Sequence, residues 1–330
     1  MSGHSFTDNR PVFPDGLLRA LARRSAWPRA ELAQHLSIAE SEVEAGLDIL
    51  DSLGLALLRT EARVGLRDPL ELLDEARIRA AGTGGDRGLK LHVLEQVDST
   101  NTRLAQMRRQ GMAPPMACVA DIQWAGRGRR GRQWLMPPGS GLPLSILWDI
   151  HHWPVPDPTI TLATGVVVIR VLESLGARGL SLKWPNDILV HGRKLGGILV
   201  EGHAQAGSGA GLILGLGLNL RLPEGLPIDQ PYGDLQGAGL DPAVSRNVLA
   251  ARLLEALTDM LIAYPDPGFA AYRAQWLAHD ACAGRSVVVR GTRTLEGTGC
   301  GVDAGGRLRV LTAGGMELVE AGEVSLRADP

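Results

Sequence analysis

Residues 183–201 read K-W-P-N-D-I-L-V-H-G-R-K-L-G-G-I-L-V-E, and no other stretch restricts the fold of this chain as tightly. D-I-L-V and G-I-L-V-E are apolar runs of strand length bounded by Pro, Asn, Asp and Gly, so the block reads as strand, loop and strand. Pro185–Asn186–Asp187 predict a turn entering one strand, and Arg193–Lys194 are expected in the turn before Gly196–Gly197 and the next. The chain holds 34 basic residues, of which only Lys90, Lys183 and Lys194 are lysines. Two of the three fall inside this block. An ammonium is a compact charge where a guanidinium is a planar fork, so lysines in an arginine-rich chain suggest a need for that compactness. Chance placement on a solvated loop is the alternative.

A second block, G-R-G-R-R-G-R at 126–132, has three readings: a nucleotide-phosphate loop, an RNA-binding arginine–glycine tract, or a basic surface turn. RNA-binding tracts of this kind repeat and lie in polar tails. This one is a single copy flanked by Trp124 and Trp134 between strand candidates, which favours an ordered ligand loop. It matches neither a Walker loop nor a dinucleotide fingerprint. Asp98–Ser99–Thr100–Asn101 follows another strand candidate. These residues suit either N-caps for a helix starting near Thr102 or a site for a compact polar head group.

A length of 330 residues suggests about two or three domains, and a net charge of −2 supplies no global field for nucleic acid or membrane. Any anion site is therefore local. Cys118, Cys282 and Cys300 form no C-x-x-C pair, which argues against a disulfide framework or a zinc site and fits a reducing compartment. His151–His152 has no ligand partner at metal spacing and reads as a surface loop. With no signal pattern and no membrane-length apolar run, the expected location is cytoplasmic.

Three segments differ in pattern. In residues 1–68, Leu17, Leu18 and Leu21, then Leu32, Ala33 and Leu36, then Val43, Leu47, Leu50 and Leu53 predict three helices, the last stopping at Gly54, followed by a two-stranded wing. That order is a winged helix-turn-helix or a small three-helix adaptor. Residues 69–88 predict a connecting helix over 70–80 and a glycine-rich linker. Residues 89–280 mix strand candidates at 91–97, 117–123, 144–148, 187–190, 197–201 and 212–220 with long helices at 160–175 and 245–263, an α+β domain with a substantial core. Residues 281–330 carry short strands at 286–290, 294–299, 308–311, 317–319 and 324–327, a small β-barrel or sandwich.

D-S-T-N at 98–101, the arginine loop, K-W-P-N-D at 183–187, R-K-L-G-G-I-L-V-E at 193–201, G-L-G-L-N at 215–219 and G-E-V-S-L-R at 322–327 together resemble the biotin–protein ligase family, over roughly residues 90–327. The first 68 residues resemble the module of its bifunctional ligase/repressor branch. The resemblance implies a winged helix-turn-helix, a mixed-sheet class II synthetase-like catalytic domain and an SH3-like barrel. The implied activity joins biotin to ATP as biotinyl-5′-AMP, then transfers biotin to a lysine of the biotin carboxyl carrier domain of acetyl-CoA carboxylase. Magnesium enters with ATP, without dedicated protein ligands. A homodimer with biotinyl-AMP bound and operator DNA are the further implied partners, and no membrane.

Residue by residue, the resemblance places Ser99, Thr100 and Gln123 at the ureido end of biotin, Asn101 among the biotin-binding residues, and Arg127, Gly128 and Arg129 in the loop closing over biotin and the adenylate phosphate. Lys194 matches the lysine between biotin carboxylate and α-phosphate, with Lys183 and Arg129 as further catalytic cations. Trp134 forms an apolar wall, and Gly196–Gly197 permits close backbone approach. Arg130, Arg132, Lys183, Asn186, Asp187 and Asn219 belong to the ATP side, and Tyr232 stands where the family stacks a tryptophan on adenine.

DNA contacts would fall on the helix-turn-helix from Arg29 to Asp48 and on wing residues Arg59, Arg63 and Arg67. The third helix, however, carries Glu40, Glu42, Glu44, Asp48 and Asp51 and no basic residue, against the requirement for phosphate neutralisation. Gly46 is also expected to weaken it, by about 1 kcal/mol. The competing functions are a lipoate–protein ligase and a DNA-binding biotin sensor without ligase activity. R-K-L-G-G and the C-terminal barrel favour biotin over lipoate, and the intact arginine loop and both lysines favour retained catalysis.

Overall fold

The computed structural model describes residues 13–84, 87–151, 153, 157–205, 209–223, 225–228, 230–290, 294–320 and 325–328. His152 and part of the closing G-E-V-S-L-R stretch lie outside them. The N-terminal segment runs α1 (Leu17–Arg23), β1 (Trp27–Pro28), α2 (Arg29–Leu36), α3 (Glu40–Ser52), β2 (Leu57–Arg59) and β3 (Arg63–Leu66). The predicted leucines of all three helices are buried in one cluster, apart from partly exposed Leu36 and Leu53 at its edge. The two-residue β1, which the sequence did not announce, pairs with β3 to make a three-stranded antiparallel sheet in the order β1-β3-β2. Gly46 has a packing reason: a Cβ there would lie 2.6 Å from Leu17 Cδ2 and from Pro14 Cδ, so its small size lets α3 approach the first helix.

The connecting helix α4 covers only Glu75–Ala81 rather than 70–80. Residues 71–74 stay outside the helix because their polar groups bond elsewhere. Leu73 N–H donates to Asp121 Oδ1 (3.0 Å), Asp74 N–H donates to Asn247 Oδ1 (2.8 Å), and the Asp74 carboxylate caps the helix at Arg77 N–H (2.9 Å).

The central segment comprises β4 (Lys90–Val97), α5 (Thr100–Arg109), β5 (Met116–Gln123), β6 (Gly141–Asp149), α6 (Ile160–Ser174), β7 (Leu180–Lys183), β8 (Asp187–Val190), β9 (Arg193–Gln205), β10 (Gly209–Asn219), α7 (Arg246–Ala263) and α8 (Ala270–Ala278). Its strands form one seven-stranded sheet, β4-β5-β6-β10-β9-β8-β7, parallel between β4 and β5 and antiparallel elsewhere. Period-two alternation gives the sheet two apolar faces. Ala117, Val119, Leu144, Ile146, Leu212 and Leu214 face α6 and α7. Cys118, Leu147 and Ile213 face Leu104 and Met107 of α5. Residues 144–148 and 197–201 prove to be the centres of longer strands, and α8 was not foreseen. Arg193–Lys194 open β9 rather than sit in the turn, which His191 (φ 47°) and Gly192 (φ 75°) make instead.

The last segment holds β11 (Ser286–Arg290), β12 (Thr294–Val302), β13 (Leu308–Thr312), β14 (Gly315–Val319) and β15 (Ser325–Ala328), a five-stranded antiparallel sheet in the order β14-β13-β12-β11-β15. Its apolar face, with Val287, Val289, Val302 and Val310, joins the core of the central domain. The fully buried Trp184 donates its indole N–H to Gly306 O (3.0 Å), and Arg273 holds Val302 O (3.1 and 2.8 Å).

The N-terminal module is also tied down. Glu95 on β4 accepts backbone N–H groups from Gly16 (3.0 Å), Leu18 (2.8 Å) and Arg19 (3.4 Å), and Gln96 Nε2 donates to Phe13 O (2.8 Å). Burial pushes the Glu95 carboxyl above its ordinary range, partly opposed by those three N–H donors. Among the described residues no helix is long and apolar enough to cross a membrane.

Candidate active site

A cavity of about 620 Å³ opens on the α5 face of the central sheet, within the size range of small-molecule sites. Its polar end is built on the start of α5. Thr100 and Asn101 lie inside the first turn rather than ahead of a helix beginning at Thr102; Ser99 occupies the cap position without making a side-chain cap bond. The side chains serve other partners. Thr100 donates its N–H (2.9 Å) and hydroxyl (3.2 Å) to Gln123 Oε1. Ser145, fully buried on β6, places Oγ 2.7 Å from Thr100 Oγ1 and 2.6 Å from Asn101 Oδ1, while Asn101 Nδ2 donates to Glu201 Oε2 (2.8 Å). The row Gln123–Thr100–Ser145–Asn101–Glu201 is thus held before any ligand arrives.

The glycines of G-L-G-L-N make room for this arrangement. Gly215 pairs with Ser145 and Leu199, and Gly217 pairs with Pro143 and Gly197, so both project onto the cavity face. A Cβ on Gly215 would stand 2.2 Å from Asn101 Oδ1, and one on Gly217 2.7 Å from Trp134 Cε2 and Nε1. The indole of Trp134 lies across Gly217 and Gly197 as an apolar wall, and its buried Nε1 has no partner among the described residues. Lys194 Nζ sits 5.7 Å from the centre of that ring.

The arginine loop is ordered and closed on itself: Gly128 N–H donates to Arg132 O (2.7 Å) and Trp134 N–H to Gly126 O (2.8 Å). Arg130 at φ 58° and Gly131 at φ 72° form its sharp corner. Arg127 ion-pairs with Glu201, and Arg129 Nη1 donates to Asn186 Oδ1 (3.3 Å). Burial, then the repulsion of Arg130, makes the Arg129 charge harder to hold and lowers its pKa, a penalty that a bound anion would relieve.

Opposite the loop, Asp187 joins the two lysines. Lys194 Nζ is 2.7 Å from its Oδ1 and Lys183 Nζ 3.0 Å from its Oδ2. Burial opposes ionisation of Asp187, but the Lys194 and Lys183 ammonium groups and their hydrogen bonds outweigh it and hold the carboxyl below its usual range. Asn186 is locked to β9 through Ile198, donating to its carbonyl (2.9 Å) and accepting its N–H (3.0 Å).

Most residues singled out in the sequence line this one cavity: Ser99, Thr100, Asn101, Gln123, the loop from Arg127 to Arg130 with Arg132, Trp134, Lys183, Asn186, Asp187, Lys194 and Gly197. Three do not. A Cβ on Gly196 would meet Leu218 Cδ2 at 2.6 Å and Gly217 O at 2.8 Å, so it serves strand packing. Asn219 Nδ2 braces Lys194 O (3.2 Å) and Gly233 O (3.0 Å) from behind. Tyr232 sends its hydroxyl to Pro223 O (3.2 Å), and its neighbours Gln230 and Pro231 line the cavity instead.

Ser145, Glu201 and Arg285 had no assigned role in the sequence. Alternation along β6 and β9 could have indicated the first two; nothing local marks Arg285. Seven cationic side chains and one carboxylate, Asp187, line the cavity, so in a chain of net charge −2 the field favouring an anion is local. Among the described residues no three His, Cys, Asp or Glu side chains converge as a metal site.

The DNA-contact candidates are largely engaged within the module. Arg59 pairs with Asp48 (2.6 Å) and Glu44 (2.7 Å), Arg29 with Glu44 and with Thr60 O (2.8 Å), and Arg63 Nη2 donates to Ala26 O (3.2 Å). Acidic groups on α3 thus hold two of the arginines that phosphate would need.

The model of the "Biotin/lipoate A/B protein ligase family" matches residues 93–219, and that of the "Biotin protein ligase C terminal domain" matches residues 283–327. The bifunctional ligase/repressor BirA of Salmonella typhimurium is 33% identical over 319 residues, covering 96% of this chain and 98% of that protein. A biotin–[acetyl-CoA-carboxylase] ligase of Paracoccus denitrificans is 31% identical over 253 residues, 70% of this chain and 98% of the relative. The structure of the Aquifex aeolicus biotin protein ligase in complex with biotin and ATP superposes with a TM-score of 0.63 at 29% identity, covering 73% of this chain and 99% of that one.

Proposed function

The chain belongs to the biotin protein ligase family, and from that premise we propose how its cavity activates biotin. The enzyme forms biotinyl-5′-AMP and pyrophosphate from biotin and ATP; a lysine amine of the biotin carboxyl carrier protein of acetyl-CoA carboxylase then attacks the biotinyl carbonyl, and the acyl–phosphate bond breaks with release of AMP. The observation that carries our reading of the site is the Lys183–Asp187–Lys194 bridge, set beside the Trp134 wall and across from the arginine loop.

In this reading the Gln123–Thr100–Ser145–Asn101 row takes the polar head of biotin and Trp134 covers its apolar body. The biotin carboxylate reaches Lys194, and a carboxylate oxygen attacks the α-phosphorus of MgATP. The bond from that phosphorus to the α–β bridging oxygen breaks, and pyrophosphate leaves with the electron pair. Lys194, Lys183 and Arg129 neutralise charge that grows on the phosphoryl oxygens, and the loop from Arg127 to Arg132 closes over the adenylate. Positioning and electrostatics then supply most of the acceleration. Both oxygens of Asp187 are already engaged by ammonium groups, so magnesium enters as part of the nucleotide substrate. Biotin-dependent exchange of pyrophosphate into ATP tests the assignment, and exchange supported by lipoate instead would overturn it.

A second activity follows from the N-terminal segment. The order of helices and hairpin in residues 1–68, together with a ligase/repressor relative that aligns over 96% of the chain, supports a winged helix-turn-helix that represses biotin synthesis genes as a homodimer when biotinyl-AMP is bound. Residues 69–88 then act as connector, 89–280 as catalytic domain and 281–330 as an SH3-like barrel, in a protein working in the cytoplasm. Because Arg59 and Arg29 are engaged by Glu44 and Asp48, operator affinity in this reading is weak and falls steeply with salt. A gel shift on promoter fragments of those genes, with biotin and ATP present, tests it. No shift at low salt would leave the module as a structural cap.

A further inference from the structure

Beyond the matched motifs, the cavity contains a cation from a different part of the chain. We propose that Arg285, carried by the segment leading into the C-terminal sheet, binds the β- and γ-phosphates of MgATP and stabilises the departing pyrophosphate. This rests on the ligase reading above and adds a residue to its first half-reaction.

The segment is fixed on both sides. Edge strand β7 uses Leu182 to bind it, donating its N–H to His279 O (2.7 Å) and accepting Ala281 N–H (2.8 Å). Cys282 is fully buried, and its N–H is held by Asp280 Oδ1 (2.9 Å). The chain then turns through Gly284 (φ 70°), with Arg285 N–H donating to Cys282 O (3.1 Å) and Arg285 O accepting Gly299 N–H (3.0 Å). A Cβ on Gly299 would lie 2.4 Å from Cys282 O, so only glycine lets β12 close on this turn.

The result is an arginine on a braced backbone that lines the same cavity as Ser181, Lys183 and Ala281. Among the described residues its guanidinium has no hydrogen-bond or ion-pair partner. Lys183 and Lys194 share Asp187, Arg127 holds Glu201 and Arg129 reaches Asn186. An unneutralised guanidinium lining the same cavity as Lys183 gains most from an extended anion that reaches both. With the α-phosphate at Lys194, a triphosphate running past Lys183 on β7 reaches Arg285 at its distal end. The guanidinium stabilises charge on the pyrophosphate oxygens as the bridging bond breaks.

The test uses the full chain and separates the two half-reactions. Arg285→Ala should raise the KM for MgATP and for pyrophosphate in biotin-dependent exchange by about tenfold, with partial recovery in Arg285→Lys. Transfer of biotin from preformed biotinyl-AMP to apo carrier domain, which involves no triphosphate, should stay within about twofold of wild type. Unchanged KM values for both MgATP and pyrophosphate would overturn the proposal, as would an equal loss in the two half-reactions. Wild-type protein without biotin-dependent exchange would instead remove the ligase reading itself.

Discussion

Replacing Asp187 with asparagine probes the centre of the site, because one carboxylate positions both catalytic-site lysines. Its oxygens lie 2.7 Å from Lys194 Nζ and 3.0 Å from Lys183 Nζ, and its side chain is 12% exposed. Asparagine keeps the shape and one acceptor, but its amide nitrogen turns a donor toward one ammonium. Removing one partner of a fully buried pair costs roughly 3–5 kcal/mol. The lysine side chains here are 17% and 19% exposed, so about 2 kcal/mol is the expected loss of stability after allowance for solvent screening.

The catalytic loss should be larger than the stability loss implies. Losing a preorganised charge-stabilising group costs about 10²-fold or more in kcat, whereas the KM for MgATP should hold or fall because the cavity gains net positive charge. Biotin-dependent pyrophosphate exchange read beside thermal unfolding separates the two effects. The pH sign is fixed as well. The Asp187 carboxyl is held low in the fold, so its stabilisation is present above the ordinary carboxylate range and is lost as pH falls through its depressed value. Asp187→Asn should lack that part of the acid sensitivity. A folded variant with kcat within twofold of wild type would refute the positioning argument. A steep rise in the KM for MgATP at intact kcat would make Asp187 a nucleotide ligand instead.

Lys194→Arg should fold normally yet lose most of its exchange rate, since a planar fork replaces a point charge lodged between Asp187 and the Trp134 ring; equal rates in variant and wild type would show that charge alone suffices. Arg129→Ala should release biotinyl-AMP faster and so biotinylate bystander lysines, because the loop loses its contact to Asn186 and to the phosphate. Unchanged bystander labelling would mean that other contacts close the loop. For Glu95, whose carboxyl is raised by burial, the contribution to stability is fullest at low pH and is lost as pH rises through the folded value. The wild type should therefore gain on Glu95→Gln in urea unfolding as pH falls from neutral toward the ordinary carboxylate range, and a difference independent of pH would contradict this.

What could be read in the sequence followed from periodicity and from side-chain chemistry repeated within short windows. The leucines of α1 to α3 and the apolar runs of β4, β5 and β10 predicted elements close to those observed, because burial leaves a trace in the local sequence. The arginine loop and the Lys183–Asp187 turn were legible because G-R-G-R-R-G-R and K-W-P-N-D each close within a few residues. What escaped depends on pairing between distant segments. Ser145 looks like any strand serine until register sets it against Gly215 beside Asn101. Residues 71–74 have helical composition but are drawn straight by Asp121 and Asn247, 48 and 173 positions away. Tyr232 carries the aromatic ring expected on the adenine side, yet it is not among the residues lining the cavity, and its hydroxyl donates to Pro223 O, a placement no local pattern encodes.

The central claim is that this cavity activates biotin and passes it to a carrier lysine. Intact mass of an apo biotin carboxyl carrier domain, after incubation with the full chain, biotin and MgATP, tests it most directly. The account predicts a gain of one biotin on the carrier that needs ATP and disappears when the acceptor lysine is replaced. A carrier left unmodified by biotin, or one modified when lipoate is supplied in its place, would contradict it.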